Sequence, residues 1–151
     1  GLRYTVFTQG CLFNCPGCHN PQTHDLLGGK SVEIDDIISE IKLNPLLSGV
    51  TISGGEPFLQ IPEILMLIQG INDLKLDVII YTGYTLEELV KMNSSQINKI
   101  LSLSDYLIDG KFILNKRSLE LLFRGSTNQR IIDLKKTFKN NKIIQTDFSN
   151  Y

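Results

Sequence analysis

The sequence lacks several features that would assign the chain to a large class of proteins. Its 151 residues carry 15 basic and 16 acidic side chains, so there is no excess of positive charge to bind nucleic acid. No apolar run approaches the roughly 18 residues that a membrane-spanning helix needs. No Ser-His-Asp or Cys-His arrangement is present, so we assign no catalytic acid, base or nucleophile. We therefore expect neither nucleic acid nor a membrane as a partner.

Cysteine is also scarce, and the few cysteines lie together. They are Cys11, Cys15 and Cys18, and an odd number in one short stretch argues against a disulfide framework. Free thiols are typical of a reducing compartment, so we expect a cytoplasmic protein. With 42% hydrophobic residues the chain can bury a core, and we expect one domain over residues 1–151. Because the sequence begins with Gly1, we also expect further residues before it in the natural protein.

The cysteine spacing predicts a metal centre with an incomplete set of ligands. The thiols are separated by three and two residues, so they converge on one centre if they bind metal at all. A fourth position is then open to a substrate or cofactor, whereas structural zinc sites are closed by four ligands. One alternative is such a zinc site, completed by His19 or His24. Another is a ferredoxin-like electron carrier, although its clusters normally take four cysteines.

A glycine-rich motif accompanies the cysteines and carries a resemblance to a known family. Ser53-Gly54-Gly55-Glu56-Pro57 follows the cysteine loop by about 40 residues. With this pair of motifs the sequence resembles the radical S-adenosylmethionine superfamily. The resemblance implies that Cys11, Cys15 and Cys18 hold a [4Fe–4S] cluster, and that S-adenosylmethionine binds the fourth iron.

Three later stretches narrow the resemblance to the activating proteins of anaerobic ribonucleoside-triphosphate reductases. They are Tyr81-Thr82-Gly83-Tyr84-Thr85, Asp109-Gly110-Lys111-Phe112 and the polar loop 124–130. The resemblance implies an enzyme that cleaves S-adenosylmethionine reductively to a 5′-deoxyadenosyl radical and generates a glycyl radical on the large subunit of the reductase. It also implies an external electron donor such as flavodoxin. An activase of another glycyl-radical enzyme, of the formate-lyase type, is the alternative.

The same resemblance predicts which residues contact the cofactor. Gly54-Gly55-Glu56 would bind the amino group of S-adenosylmethionine, since glycine lets a ligand approach the backbone closely. Many superfamily members carry an aromatic residue before the third cysteine, and this chain has glycine there, so we expect adenine to meet the backbone of Gly17-Cys18-His19. A solvated surface is the alternative for the polar loop. The other predicted contacts are polar residues that could meet ribose or a carboxylate: Thr82, Asp109, Lys111, Arg124, Ser126 and Asn128.

Hydrophobic patterning predicts strands that alternate with helices, which is typical of an α/β fold. A complete eight-unit barrel needs about 250 residues. The resemblance implies an open, partial (β/α) barrel of the radical S-adenosylmethionine type, and this chain can supply about five parallel strands of one. Helices are predicted to begin near Ser31, Pro62, Thr85 and Ser94, and a short one to cover Leu119–Phe123. The predicted strands are Arg3–Thr8, Gly49–Ile52, Leu76–Tyr81, Tyr106–Ile108, Ile131–Ile132 and Ile143–Ile144.

Overall fold

A sheet of five strands, arranged in the order in which they occur along the chain, organises the structure. This computed structural model describes residues 1–121 and 123–148. The first four strands are parallel, and the fifth runs antiparallel to the fourth. The first and fifth strands lie at opposite edges, so the sheet is open and compatible with a partial barrel. The strands are β1 (Leu2–Thr8), β2 (Leu47–Gly54), β3 (Asp77–Tyr81), β4 (Tyr106–Asp109) and β5 (Arg130–Asp133).

In the part of the chain that the structure describes, five α-helices are interspersed with the strands, and several begin where the sequence offers capping groups. Thr85 and Glu88 form a reciprocal capping box at the third helix, and the Ser94 hydroxyl accepts a hydrogen bond from the Ile97 amide at the fourth. Pro62 occupies the first turn of the second helix, where its missing N–H breaks no hydrogen bond. The helices are α1 (Ile34–Lys42), α2 (Ile61–Asp73), α3 (Leu86–Lys91), α4 (Ser95–Leu103) and α5 (Leu134–Asn140).

All five helices contribute to one apolar cluster on one face of the sheet. Ile52 and Ile80 of the strands and Ile68 and Ile100 of the helices are fully buried in it. Burial of a side chain of this size is worth about 1.5–3 kcal/mol, so this face supplies most of the stability. A smaller cluster covers part of the opposite face and contains Ile79, Ile108, Ile131 and Phe148. Strands that are buried on both faces have short, uninterrupted hydrophobic sequences, so their positions could be predicted from the sequence.

The four predicted parallel strands and their alternation with helices are confirmed, with strand ends shifted by one or two residues. The prediction of about five parallel strands is wrong for β5, which is antiparallel. Its connection from β4, residues 110–129, contains the short 3-10 helix Leu114–Lys116 and an antiparallel bridge between Arg117 and Ser126. A parallel neighbour requires a crossover, usually a helix. This loop instead folds back on itself and returns the chain in the opposite direction.

Three local predictions also need correction. Residues 119 and 120 form a turn and not the start of a helix, and Leu122 of the predicted Leu119–Phe123 helix lies outside the described residues. The pair Ile143–Ile144 forms no strand, and only a single bridge joins Gln145 to Ile132. The cap of α1 is Glu33 and not Ser31. The patterns were short or polar in each case, so tertiary contacts decided the local structure.

Candidate functional site

The carboxyl ends of the four parallel strands meet at one edge of the sheet, where a cavity of about 180 Å³ opens. All three cysteines line it. So do residues 53–56 at the end of β2, residues 81–83 at the end of β3 and residues 110–112 after β4. Parallel strands place their carboxyl ends at one edge, so motifs that are distant in sequence come together there. Several residues of the predicted binding site therefore line one cavity.

The cysteine loop is held by its own backbone at both ends. The Gly10 amide donates a hydrogen bond of 2.6 Å to the Thr23 carbonyl, and the Cys11 amide donates one of 3.2 Å to the His24 carbonyl. Between these contacts the Thr23 hydroxyl donates to the Asn20 carbonyl at 2.6 Å. The chain from Gly10 to His24 therefore forms a closed loop, and the three thiols project from a fixed base.

The thiols have surroundings that suit binding to a metal cluster. Each is half-buried, and the Asn20 amide donates a hydrogen bond to the Cys18 sulfur at 3.4 Å. The pKa of the Cys15 thiol is raised, first by burial and then by repulsion from Cys18 and Cys11. The Phe112 amide and the Lys111 ammonium act in the opposite direction. Neighbouring thiolates that repel one another are stabilised by a cationic centre, so this donor set fits an iron–sulfur cluster.

A single metal ion is the alternative to a cluster at these thiols. Among the residues that the structure describes, no three thiol, imidazole or carboxylate groups are grouped closely enough to hold one metal ion. Thiolates that bind a cluster attach to different iron atoms and so lie further apart than the ligands of one ion. His19 and His24, the candidate fourth ligands of a zinc site, both line the cavity. The His19 ring lies 5.0 Å from the Phe112 ring, centre to centre.

The glycine pair at the end of β2 packs against the base of the cysteine loop. A Cβ atom at Gly54 would lie 2.4 Å from the backbone N and O of Thr8, and one at Gly55 would lie 2.2 Å from the Gly10 carbonyl oxygen. Gly54 also has φ of +99°, a conformation that favours glycine. The Gly55 amide donates to the Thr8 carbonyl at 2.8 Å. The pair lines the cavity as predicted, and it also allows β1 and β2 to approach closely there.

The Glu56 carboxylate is buried and joins the ends of β2 and β3. Its two oxygens accept hydrogen bonds from the Gly83 amide at 2.7 Å, the Thr82 hydroxyl at 2.8 Å and the Phe58 amide at 3.0 Å. Burial raises the pKa of Glu56, and these three donors oppose that rise. Glu56 and Thr82 were predicted to contact the cofactor. Both line the cavity, and the structure shows that they also fix its wall.

Lys111 and Phe13 form part of the cavity wall, and only the lysine was predicted to contact the cofactor. The Lys111 ammonium lies 4.7 Å from the centre of the Phe13 ring. Gln129 was also missed, although it lines the cavity and its side chain accepts hydrogen bonds from the Gly125 and Ser126 amides. The position of Phe13 between two cysteines was the only available signal for it. Gln129 lies in the polar loop 124–130, but neither it nor Phe13 was among the predicted cofactor contacts.

Asp109 lies next to the cavity but does not line it. Its carboxylate is buried and accepts hydrogen bonds from the Leu86 amide at 2.8 Å and from Arg130 Nε at 3.0 Å. Arg130 also pairs with Glu87, which lowers the pKa of that carboxyl. Asp109 thus anchors the start of α3 and the start of β5 together. The Asp109 carboxylate was predicted to contact the cofactor, but it already accepts these hydrogen bonds from the protein.

The other predicted contacts lie around the cavity but are not on its wall. Gly17 has φ of +73° and packs against Phe112 and Leu114. In the polar loop, Arg124 donates to the Gln129 carbonyl at 2.8 Å, Ser126 accepts from the Ile113 amide and Asn128 donates to the Lys111 carbonyl. The structure therefore gives all three polar side chains a contact within the protein. Their contact with the cofactor stays a prediction.

Comparison with known proteins agrees with this donor set. The family model described as "4Fe-4S single cluster domain" matches residues 1–132. Anaerobic ribonucleoside-triphosphate reductase-activating protein of Salmonella typhi is 36% identical over 143 residues, covering 89% of this chain and 90% of the relative. That of Escherichia coli strain K12 is 35% identical over 144 residues, covering 89% and 90%. Pyruvate formate-lyase-activating enzyme of Staphylococcus aureus is 32% identical over 135 residues, covering 85% of this chain but 54% of the relative.

These matches define the class of the protein and then its family. A protein with three thiols in one cavity and a matching 4Fe-4S family model is an iron–sulfur protein. The chain belongs to the family of anaerobic ribonucleoside-triphosphate reductase-activating proteins.

Over residues 1–121 and 123–148, each helix is too short or too polar to cross a membrane.

Proposed function

We propose that this protein activates an anaerobic ribonucleoside-triphosphate reductase by generating a glycyl radical on its large subunit. The observation that carries the proposal is the cavity at the strand ends, in which the three thiols meet the glycine pair. Relatives that carry the activating-protein name align over 90% of their own length. We further propose that the open sheet is a partial barrel of the radical S-adenosylmethionine type and that the chain is one cytoplasmic domain.

The chemistry depends on two groups that these residues are suited to hold. Cys11, Cys15 and Cys18 would bind a [4Fe–4S] cluster, and the walls at residues 53–56 and 81–83 would receive S-adenosylmethionine. When bound, the two supply one-electron cleavage of the sulfonium to methionine and a 5′-deoxyadenosyl radical, which removes hydrogen from the target glycine. An external donor such as flavodoxin would provide the electron. The protein orients the groups and excludes competing reactions, so it needs no catalytic acid or base.

The open sheet supports a protein as the substrate. The cavity lies at the strand ends of a sheet that does not close into a barrel. A bound cofactor would therefore remain open to water on one side. A primary radical must be protected from water, so a segment of the substrate protein has to cover it. Glycine suits that segment because no side chain blocks the approach to the radical carbon.

The test is activation of a partner by anaerobically reconstituted protein. Reduced protein, S-adenosylmethionine and the reductase large subunit should together give the electron paramagnetic resonance signal of a glycyl radical. Without the partner, cleavage of S-adenosylmethionine should be slow and uncoupled. Efficient modification of a small metabolite with no partner present would contradict the activase function even if the radical chemistry were confirmed.

A second candidate has a specific observation in its favour. The relative named pyruvate formate-lyase-activating enzyme is 32% identical over 135 residues. A parallel reaction with a formate-lyase type partner distinguishes the two, because only the correct partner should acquire the radical stoichiometrically. This chain aligns with 54% of that relative but with 90% of the reductase-activating relatives, which favours the reductase.

A further inference from the structure

One cation is fixed at the wall of the cysteine cavity. Within the described residues, Lys111 is the only lysine or arginine that lines it. The Lys111 ammonium lies 4.7 Å from the centre of the Phe13 ring, within the roughly 6 Å at which a cation is attracted to an aromatic face. Phe13 lies between Cys11 and Cys15. The contact therefore joins the end of β4 to the loop that carries the thiols.

The Phe13 ring is itself held in place. It meets the Tyr84 ring edge-on, with centroids 4.9 Å apart and planes at 74°. A Cβ at Gly83 would lie 2.5 Å from two ring carbons, so the absence of a side chain at Gly83 makes room for the ring. A ring packed in this way gives the ammonium one preferred position.

The backbone on either side of Lys111 is equally constrained. The Gly110 amide donates to the Tyr84 carbonyl at 2.9 Å, and the Gly110 carbonyl accepts from Gln129 at 3.0 Å. Asn128 donates to the Lys111 carbonyl at 2.8 Å. Only the long side chain is free to move, and because it is exposed it would sample many rotamers without the aromatic contact. The contact with Phe13 therefore favours one position of the Lys111 ammonium.

We propose that Phe13 is a positioning residue that holds the Lys111 ammonium beside the cysteine thiolates, and that this fixed positive charge raises the reduction potential of the cluster. The inference rests on the proposed function, because it requires a cluster at the three cysteines. Reduction transfers one electron from an external reductant and adds one negative charge at the site. A nearby cation stabilises the more negative state, and charge near a cluster is one of the factors that set its potential. Because Lys111 is exposed, salt weakens the effect.

The experiment is a reductive titration of the anaerobically reconstituted protein, with the midpoint potential followed by electron paramagnetic resonance. Lys111→Gln should shift the potential to more negative values, and Phe13→Leu should shift it less in the same direction. Combining both changes should shift it no further than Lys111→Gln alone. Lys111→Arg should restore most of the wild-type potential, since arginine also binds an aromatic face. The matched control Lys116→Gln removes an exposed lysine that does not line the cavity, and should leave the potential unchanged.

Iron and sulfide content is measured first for every variant. If Lys111→Gln holds a full cluster at the wild-type potential, the inference is wrong, even if binding of S-adenosylmethionine weakens. If Lys111→Gln shifts the potential and a fully loaded Phe13→Leu does not, the role of Phe13 is wrong. Wild-type protein that binds no cluster at all would contradict the proposed function itself. A shift from Lys111→Gln that shrinks as salt increases would support the electrostatic cause.

Discussion

Replacement of Gly55 by alanine tests how the glycine pair supports the cysteine loop. A Cβ at this position would lie 2.2 Å from the Gly10 oxygen and 2.9 Å from the Thr23 oxygen. Both are backbone atoms, and the Gly10 amide is bound to the Thr23 carbonyl at 2.6 Å. Neither can rotate away as a side chain would. The loop must therefore move by roughly 1 Å to reach an ordinary contact distance.

The cost follows from the contacts that such a movement disturbs. Overpacking in a fixed environment costs about 1–3 kcal/mol. The Gly55 amide bond to Thr8, at 2.8 Å, and the Glu56 amide bond to Gly10, at 2.7 Å, border the contact. Each hydrogen bond has a net worth of about 0.5–1.5 kcal/mol. We expect a loss of about 2–3 kcal/mol in the free energy of unfolding, and reduced iron content because Gly10 directly precedes Cys11.

Urea unfolding of cluster-free protein measures the stability, and iron analysis after reconstitution measures the loading. Gly70→Ala is the matched control, because a Cβ there meets only the end of the Ile38 side chain, at 2.8 Å. Alanine also favours a helix interior over glycine by about 1 kcal/mol, so this variant should be neutral or more stable. If Gly55→Ala unfolds within about 0.5 kcal/mol of wild type and binds full iron, the packing argument is refuted.

Three further predictions concern the rest of the site. Each single cysteine-to-alanine variant should lose the iron–sulfur absorption and the cleavage of S-adenosylmethionine, measured as 5′-deoxyadenosine, and a fully active variant would contradict the cluster assignment. Asp109→Asn should cost about 1.5–3 kcal/mol in urea unfolding, because it weakens the hydrogen bonds to Arg130 while Arg130 keeps its pair with Glu87. The folded fraction should keep its affinity for S-adenosylmethionine, and lost affinity at unchanged stability would contradict this. Arg130 lowers the pKa of Glu87 from its ordinary 4.5, so the ion pair stabilises above that pH and is lost as pH falls through the folded value. The free energy of unfolding of wild type should exceed that of Glu87→Gln by less than about 1 kcal/mol at pH 7. The two values should converge in acid, and a difference that does not change with pH would contradict the role of the ion pair.

The meeting of the cysteine and glycine motifs was predictable because it depends on their local sequence and one topological rule. The three cysteines are close in sequence, and Gly54-Gly55 follows an apolar strand. Parallel strands then bring such loops to one edge without any knowledge of side-chain packing. The structure agrees, since both motifs line the same cavity.

The roles of single polar residues were less predictable, because the same side chain can form hydrogen bonds with a ligand or with other groups of the protein. Asp109 at a strand end reads as a cofactor contact, yet its carboxylate is buried against Arg130 and the Leu86 amide. Phe13 reads as an ordinary loop residue, and its contact with Lys111 depends on how close two strand ends come. Such pairings are set by tertiary packing, and no local pattern encodes them.

The direction of β5 was not predictable, because it too is set by tertiary packing. The face of the sheet opposite the helices is covered near β5 and exposed near β1. Phe7 and Ile79 lie on the same face of the sheet, opposite the helices, as the strand register shows. Near β3 to β5 this face is covered by Phe148, which packs on Ile79 and Ile131. Near β1 no residue that the structure describes buries this face, and Phe7 is 60% exposed there. The cysteine loop follows β1 directly, so this exposed face of β1 ends at the loop that carries the thiols.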